Sequence, residues 1–335
     1  MHAEGTGAPT RHVIPWQDPA FTDPAALDAE LRRQFDVCHG CRRCFNLCDS
    51  FPRLFDLIDA SKTGELDTVD SKDFKPVVDA CTLCDMCFMT KCPYVPPHEF
   101  NIDFPHLMLR YRVAENQAGK VTMAQKEIRQ TDRNGRLATR MAALANWGSD
   151  VRNKLGRWVL ATFANIHPKA WLPKYASTSL DERVRRVLVT VNTAAPAAGK
   201  RKVVLYASCS GNYNKHEVGL AARAVLAKNG VETVVMHPAC CGMPQLEVGD
   251  LAAVSASAKK VAAEFAPMID QGYDIVAMTP SCALMLKFEW PLIAPKDPNV
   301  AKLAKATRDV TEYVVEIAKK VGLAEGLKPV ADPLA

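Results

Sequence analysis

Residues 38–48, CHGCRRCFNLC, and residues 81–92, CTLCDMCFMTKC, decide how this chain is organised. Each segment carries a cysteine at every third position and ends on a fourth cysteine, and the second is followed by Pro93. Together they hold eight of the twelve cysteines in the 335-residue chain. This spacing lets one tight loop offer three thiolates to three irons of a cubane cluster. The sequence therefore predicts two [4Fe-4S] clusters.

In ferredoxins with two clusters, the fourth cysteine of each run binds the other cluster. The expected ligands are Cys38, Cys41, Cys44 and Cys92 for cluster 1, and Cys81, Cys84, Cys87 and Cys48 for cluster 2. Zinc is the first alternative, but its tetrahedral sites usually take two separated pairs of donors and would leave surplus thiols here. Disulfides are the second alternative, and the absence of a recognisable export signal in the first residues disfavours them.

The totals are those of a globular protein with room for about two domains. Apolar residues make up 48% of the chain, charged residues make up 24%, and the net charge is +5. No run of about 18 uncharged apolar residues predicts a membrane-spanning helix. We expect a cytoplasmic protein, with peripheral contact at the inner face of the cytoplasmic membrane as an open alternative.

The order of patterns along the chain predicts four regions. Residues 1–22, rich in Gly and Pro, are expected to form an extended tail or an arm on a partner. Residues 23–100 are predicted to form a helical ferredoxin domain, since no strand alternation separates the two cysteine runs. Residues 101–199 are predicted to be a helical connector and linker. Residues 200–335 are predicted to form an α/β domain.

The positive charge is concentrated in the connector. Lys and Arg outnumber Asp and Glu by 14 to 5 in residues 116–186. Within this region, the segment 147–171 places Val151, Leu155, Trp158, Val159 and Ile166 near one predicted helical face, with Arg152, Lys154 and Arg157 outside it. Such a face either packs on protein or lies in a membrane interface, and both interpretations stay open. No nucleic-acid-binding motif accompanies the charge, so nucleic acid is not an expected partner.

The last region alternates strands and helices. Strands are predicted at 203–207, 231–236 and 274–278, and helices at 216–228, 251–269 and 300–321. This order predicts a parallel sheet, whose chemistry gathers beyond the carboxyl ends of its strands. The other four cysteines fall at those ends: Cys209, Cys240, Cys241 and Cys282. Buried cysteine is common, but arrival from three strands favours a further metal or redox site.

Other candidate residues are weaker. His98, His106, His216 and His237 lie near the cysteine segments, but histidines in such places are more often surface or supporting residues. The turn 208–211 lacks the glycine pattern of a nucleotide site. No catalytic residue is predicted.

These motifs resemble the heterodisulfide-reductase-related iron-sulfur proteins, in particular the group that includes the iron-sulfur subunit of anaerobic glycerol-3-phosphate dehydrogenase. The resemblance rests on the tandem cysteine runs, on Cys240-Cys241-Gly242-Met243-Pro244 and on Pro280-Ser281-Cys282. It implies a helical two-cluster ferredoxin domain followed by a cysteine-rich "CCG" domain. The family's last motif commonly ends in a second cysteine, where this chain has Met285, and its members usually carry two CCG repeats, where one is visible here.

The resemblance also implies a function. It predicts an electron-transfer subunit of a multi-subunit oxidoreductase, not a stand-alone enzyme. Electrons would pass from a dehydrogenase or other oxidoreductase partner toward quinone, or toward a thiol or disulfide acceptor. The cofactors implied are two [4Fe-4S] clusters and a further iron-sulfur or zinc site in the CCG domain. Two alternatives remain: a thiol/disulfide reductase with a CCG metal centre, and a scaffold whose clusters are structural.

Overall fold

A computed structural model describes residues 9–327, whose contacts divide the chain into two units. The first unit holds the described residues up to Thr122 together with Pro244–Val254. The second holds Met123–Met243 and the described residues from Ser255 onward. The connector predicted for residues 101–199 is therefore divided between the two units. The predicted tail is described only from residue 9.

The chain is mostly helical, with one small parallel sheet. Before the sheet come α1 (Pro24–Cys41), α2 (Ser50–Asp59), α3 (Lys75–Ala80), α4 (Phe104–Gln117), α5 (Met123–Ile128), α6 (Thr131–Arg140), α7 (Ala142–Ser149), α8 (Lys154–Ala164) and α9 (Leu180–Val184). The rest comprises β1 (Lys202–Tyr206), α10 (Cys209–Tyr213), α11 (His216–Lys228), β2 (Glu232–Met236), α12 (Met243–Leu246), α13 (Leu251–Asp270), β3 (Tyr273–Ala277), α14 (Pro280–Leu284), α15 (Trp290–Ile293), α16 (Pro298–Ala306), β4 (Thr307–Asp309) and α17 (Val310–Lys320). Short 3-10 turns span Pro19–Thr22, Leu66–Thr68 and Ser71–Phe74, and π turns span Cys87–Lys91 and Met285–Glu289.

Helix α1 organises the first unit and begins where the sequence predicts. The Asp23 carboxylate accepts a hydrogen bond from the Ala26 amide at 2.8 Å, and Pro24 fills the first helical position. The inner face of α1 carries the fully buried Phe35, whose ring meets Phe74 edge-on with centroids 5.1 Å apart. The helix ends at Arg42, which adopts a left-handed conformation (φ 51°). Packing against this core fixes where the first cysteine run leaves the helix.

Residues 9–22 contact the part of their own chain that carries the second cysteine run. Ile14 is buried, and the Arg11 side chain is 8% exposed. Its guanidinium forms a two-bond pair with Asp85, at 2.6 and 2.8 Å, and also binds Asp103. The same group lies 4.1 Å from the centroid of the Phe88 ring. Arg11 thus ties the start of the described chain to the second cysteine run.

The second unit contains a four-stranded parallel sheet in the order β2-β1-β3-β4. The predicted parallel sheet is confirmed, and the three predicted strands lie within one or two residues of the observed ones. The prediction of one helix over 300–321 is wrong, because β4 interrupts it at Thr307–Asp309. Helix α17 starts anew at a capping box, in which Asp309 and Glu312 each accept a hydrogen bond from the other's backbone amide.

The apolar basic segment 147–171 does not form one continuous helix: it contains the end of α7 and the whole of α8. Helix α8 begins at Lys154, after Val151, and ends before Asn165, whose left-handed conformation (φ 53°) leaves Ile166 outside it. Arg157, which was predicted to lie outside the apolar face, is buried. Its buried guanidinium donates to the carbonyls of Pro168, at 2.7 Å, and Ser149, at 3.2 Å, and also to that of Ala170. In residues 9–327 no helix is long and apolar enough to span a membrane.

Candidate iron-sulfur and cysteine sites

The first cysteine run straddles the end of α1. Cys38 and Cys41 occupy its last turn, and the chain then turns through Cys44 and Cys48 into α2. The second run begins immediately after α3 and is strongly curved, with left-handed backbone at Leu83 (φ 51°) and Asp85 (φ 61°). Such curvature lets alternate side chains turn inward. The run ends in a π turn, where the Cys92 amide donates to the Cys87 carbonyl at 2.8 Å.

Cys92 lies beside the first run. Burial raises the pKa of the Cys38 thiol well above its usual value, and the neighbouring Cys92, Cys44 and Cys41 raise it further. The thiol pKa of Cys44 is raised to about 11, first by burial and then by Cys92 and Cys41. These four side chains are therefore mutual neighbours, which is the set that the sequence assigns to cluster 1.

Cys48 lies beside the second run. Burial raises the thiol pKa of Cys81 to about 11, and Cys48 and Cys84 add to the shift. Burial also raises the pKa of Cys87 well above its usual value, and Cys81, Cys44 and, to a smaller extent, Cys38 raise it further. Cys48, Cys84 and Cys87 are thus each linked to Cys81, and Cys87 also adjoins Cys44 and Cys38 of the first set.

The donor set fits iron-sulfur chemistry. All eight cysteines are free of disulfides, and burial keeps several protonated until a metal displaces the proton. Among the side chains in residues 9–327, no group of three or more His, Cys, Asp or Glu is placed to hold a single metal ion. The cysteines of a cubane cluster bind separate irons and need not converge on one point.

Arg112 of α4 holds the entry to the second run. Its guanidinium donates to the Val78 carbonyl at 2.6 Å and also to the Cys81 carbonyl. A further bond reaches the Glu247 carbonyl at 3.2 Å, in the short segment that belongs to the same unit. The positive charge also lowers the pKa of the Cys81 thiol against the larger effect of burial. Arg112 thus both orients the loop and favours a thiolate there.

The four remaining cysteines meet at one edge of the sheet. Cys209 begins α10 just after β1, Cys240 and Cys241 follow β2, and Cys282 lies in α14 after β3. The Sγ atoms of Cys240 and Cys209 are 3.9 Å apart, within hydrogen-bond reach for sulfur. Hydrogen bonds between these thiols give them different pKa values. Hydrogen bonds from Cys209 and Cys241 lower the pKa of Cys240, whereas the bond to Cys240 raises the pKa of both neighbours.

Thr131 and Asp132, at the start of α6, lie near these cysteines although they are about a hundred residues away in sequence. We call these two residues the α6 roof. The buried Thr131 hydroxyl lies near Cys209 and Cys240 and lowers the pKa of both thiols. The Asp132 carboxylate accepts from the Cys240 amide at 2.5 Å and from His237 Nε2 at 2.7 Å. The other His237 ring nitrogen faces the Ala207 carbonyl.

Close packing lets α6 reach this position. A Cβ on Gly135 would come within 2.3 Å of the Tyr213 ring, so only glycine permits this contact between α6 and α10. Below the cysteines, the buried Trp290 indole donates to the Cys241 carbonyl at 3.0 Å. Tyr206 donates to the Ala239 carbonyl at 2.6 Å. The loop that carries the cysteine pair is therefore held from above and below.

Comparison with known proteins bears on this second group. The family model of a cysteine-rich domain, CCG, matches residues 203–287, about a quarter of the chain. The match includes all four cysteines and is consistent with the heterodisulfide-reductase-related family. No curated protein and no solved structure matched the chain. The fold is thus mixed helical, with a four-stranded parallel sheet and a CCG cysteine-rich domain, which indicates an iron-sulfur, redox-related protein.

The candidate cysteines were predicted from the sequence, but the residues that hold their loops in place were not. Of the four histidines considered, His237 alone contacts the roof, and His216 is buried with Nε2 facing the Asn212 carbonyl at 3.1 Å. Asp132, Arg112 and Arg11 carried no motif that could reveal them. For Asp132 the available signal was weak: an acidic residue in the first turn of a basic helix, beside a threonine.

Proposed function

We propose that this chain is an iron-sulfur electron-transfer subunit of a multi-subunit oxidoreductase. Its first unit would hold two [4Fe-4S] clusters, bound by Cys38, Cys41, Cys44 and Cys92 and by Cys81, Cys84, Cys87 and Cys48. When bound, such clusters supply one-electron redox chemistry. A dehydrogenase or other oxidoreductase subunit would be the donor, and the acceptor would be quinone or a thiol or disulfide.

One observation supports the proposal: the fourth cysteine of each run affects the thiol pKa of cysteines in the other run. Cys92 is among the electrostatic neighbours of Cys38 and Cys44, and Cys48 is among those of Cys81. Exchange of fourth ligands is the arrangement of two-cluster ferredoxins. The buried Arg11, bound to Asp85 between Cys84 and Cys87, rigidifies the loop that would carry the second cluster.

Anaerobic reconstitution of the full chain tests the proposal. We expect about eight irons and eight sulfides per chain in the first unit, with two signals that dithionite reduces. Cys92→Ser should disturb the cluster of the first run, and Cys48→Ser that of the second, because each removes the exchanged ligand. Met86→Leu, an exposed change inside the second run, is the control and should retain both signals. Stoichiometric zinc, or clusters that dithionite does not reduce, would contradict electron transfer and favour a structural scaffold.

A second candidate function rests on the CCG cysteines. The 3.9 Å separation of the Cys209 and Cys240 sulfurs favours a thiol/disulfide centre, with or without a metal. Oxidation of these two thiols to a disulfide would release two protons to solvent and two electrons, one to each of the two proposed clusters or both to a partner. Mass spectrometry after mild oxidation distinguishes the cases. A Cys209–Cys240 disulfide supports redox thiols, whereas about four extra irons that are lost in Cys240→Ser and Cys282→Ser support a third cluster.

A further inference from the structure

An apolar cavity of about 540 Å³ opens within the second unit, among α7, α8 and residues 166–175. Ligand sites typically measure about 300–1,000 Å³. None of the described side chains that line it is charged. They are Ile128, Asn134, Ala145, Trp147, Gly148, Ser149, Leu155, Gly156, Val159, Leu160, Ile166, Leu172, Pro173 and Tyr175. The strongly basic connector therefore encloses a site whose described wall holds no cation.

The wall of this cavity is connected to the CCG cysteines. The backbone on either side of Tyr175 is bonded to the helix of Cys209: the Ala176 amide donates to the Tyr213 carbonyl at 2.8 Å, and Asn214 donates to the Lys174 carbonyl at 3.0 Å. The segment that carries the lining residue Tyr175 is thus bonded to the short helix that begins with the redox-capable Cys209.

The position of Tyr175 is fixed from the other side as well. The Asn146 amide group of α7 accepts from the Tyr175 backbone N–H at 2.8 Å and donates to its carbonyl at 2.9 Å. The aromatic wall is therefore held in place, whereas the opposite rim is open. There Trp147 and Leu155 are 61% and 66% exposed, which leaves apolar surface continuing outward from the cavity.

The chemistry of the lining selects among redox carriers. Nicotinamide and flavin nucleotides carry phosphates, which need cations or backbone donors, and charged thiol carriers would lose hydration without gaining a partner. A flat, neutral ring can pack between Trp147, Tyr175 and the aliphatic side chains. We infer that this cavity binds a neutral, apolar, redox-active ring of the quinone class. The inference deepens the proposed function and rests on it for the redox character of the ligand.

Calorimetric titration of the full reconstituted chain, with oxidised clusters, tests this assignment. Menadione is the probe, and its ring-sulfonated analogue supplies the same ring with a negative charge. We expect menadione to bind at least about tenfold more tightly than the sulfonate, because the described lining holds no cation. Ala145→Phe, which fills the cavity, should weaken menadione binding by about tenfold or more. Ala143→Phe places the same ring on an exposed position of α7 outside the lining and should leave binding unchanged.

A second pair of variants covers the case in which Ala145→Phe fails to fold. Leu155→Ser removes apolar lining at an exposed position and should weaken binding severalfold. Leu144→Ser changes an equally accessible leucine outside the cavity and should not. Equal effects of the two serine variants would mean partitioning onto exposed surface only and would overturn the assignment, as would tight binding of the sulfonate. If menadione binds to a chain that fails to assemble reducible clusters, the proposed function is refuted but the cavity remains a site for this ring. If the clusters assemble but menadione does not bind, the cavity assignment is refuted and the proposed function stands.

Discussion

Replacement of Arg11 by methionine should destabilise the first unit far more than its position near the chain start suggests. The Arg11 side chain is 8% exposed, and that of Asp85 is 4% exposed. At 2.6 Å and an effective dielectric constant of about 20, their attraction amounts to about 6 kcal/mol, part of which offsets desolvation. Removing the arginine alone leaves the buried Asp85 carboxylate without this counter-charge. We expect a loss of about 3–5 kcal/mol.

Hydrogen exchange followed by mass spectrometry measures this loss locally, in the cluster-loaded chain. Amides of α4 should exchange roughly two to three and a half orders of magnitude faster in Arg11→Met, since about 1.4 kcal/mol corresponds to tenfold. Arg11→Met combined with Asp85→Asn should recover part of the loss, because the second change removes the buried negative charge.

The matched control is Arg53→Met. Arg53 pairs with Asp49 at the same 2.6 Å, but the two side chains are 52% and 66% exposed. Water and salt screen such a pair, so about 0–1 kcal/mol is expected. If Arg11→Met and Arg53→Met speed exchange equally, or if Asp85→Asn rescues nothing, burial of the ion pair is not what stabilises this loop.

Two further predictions concern strain and pH. Gly249→Ala should cost about 2 kcal/mol or more in thermal unfolding, because Gly249 has φ +72° and its Cβ would lie 2.4 Å from the Arg112 carbonyl carbon. Gly272→Ala has a similar φ of +85° but open space and should cost about 1 kcal/mol; equal losses would refute the contact argument. In cluster-free protein, burial raises the thiol pKa of Cys44 and Cys81 from 9.0 to about 11. The thiols ionise at a lower pH in the unfolded chain than in the folded chain. Their contribution to the free energy of unfolding is therefore fully present below about pH 9 and falls as the pH rises toward about 11. Melting temperatures across this range should decline, less so in Cys44→Ala, and a flat profile would contradict the assignment.

The regular part of the α/β unit was predictable from local pattern. Helix α11 runs from His216 to Lys228 as predicted, because Asn229 and Gly230 end it. Strand β1 lies at Lys202–Tyr206, one residue from its predicted bounds. Strand β4 was not predicted, because three residues are too few to show a periodic pattern. The capping box at Asp309 and Glu312, however, could have been recognised in the sequence.

Long-range contacts were beyond the sequence. Nothing local shows that Arg157 turns inward to three backbone carbonyls, because a cation on an apolar helix is normally solvated. Likewise, Asp132 and Cys240 are 108 residues apart, and only the folded chain brings the carboxylate to the amide. In contrast, the spacing of the two cysteine runs is enough to predict iron-sulfur clusters, although cluster binding stays a proposal.

The α6 roof has a consequence for modularity. The CCG match spans residues 203–287 and contains every cysteine of that site, yet Thr131 and Asp132 lie outside it. The matched segment therefore carries the sulfur atoms and the hydrogen bonds between cysteines that lower the pKa of Cys240 most. The host chain supplies a hydroxyl that lowers this pKa further and a carboxylate that accepts from the Cys240 amide. Grafting residues 203–287 into another connector would alter the acidity of Cys240 without changing a single cysteine. Two chains with identical CCG segments can thus differ in redox behaviour.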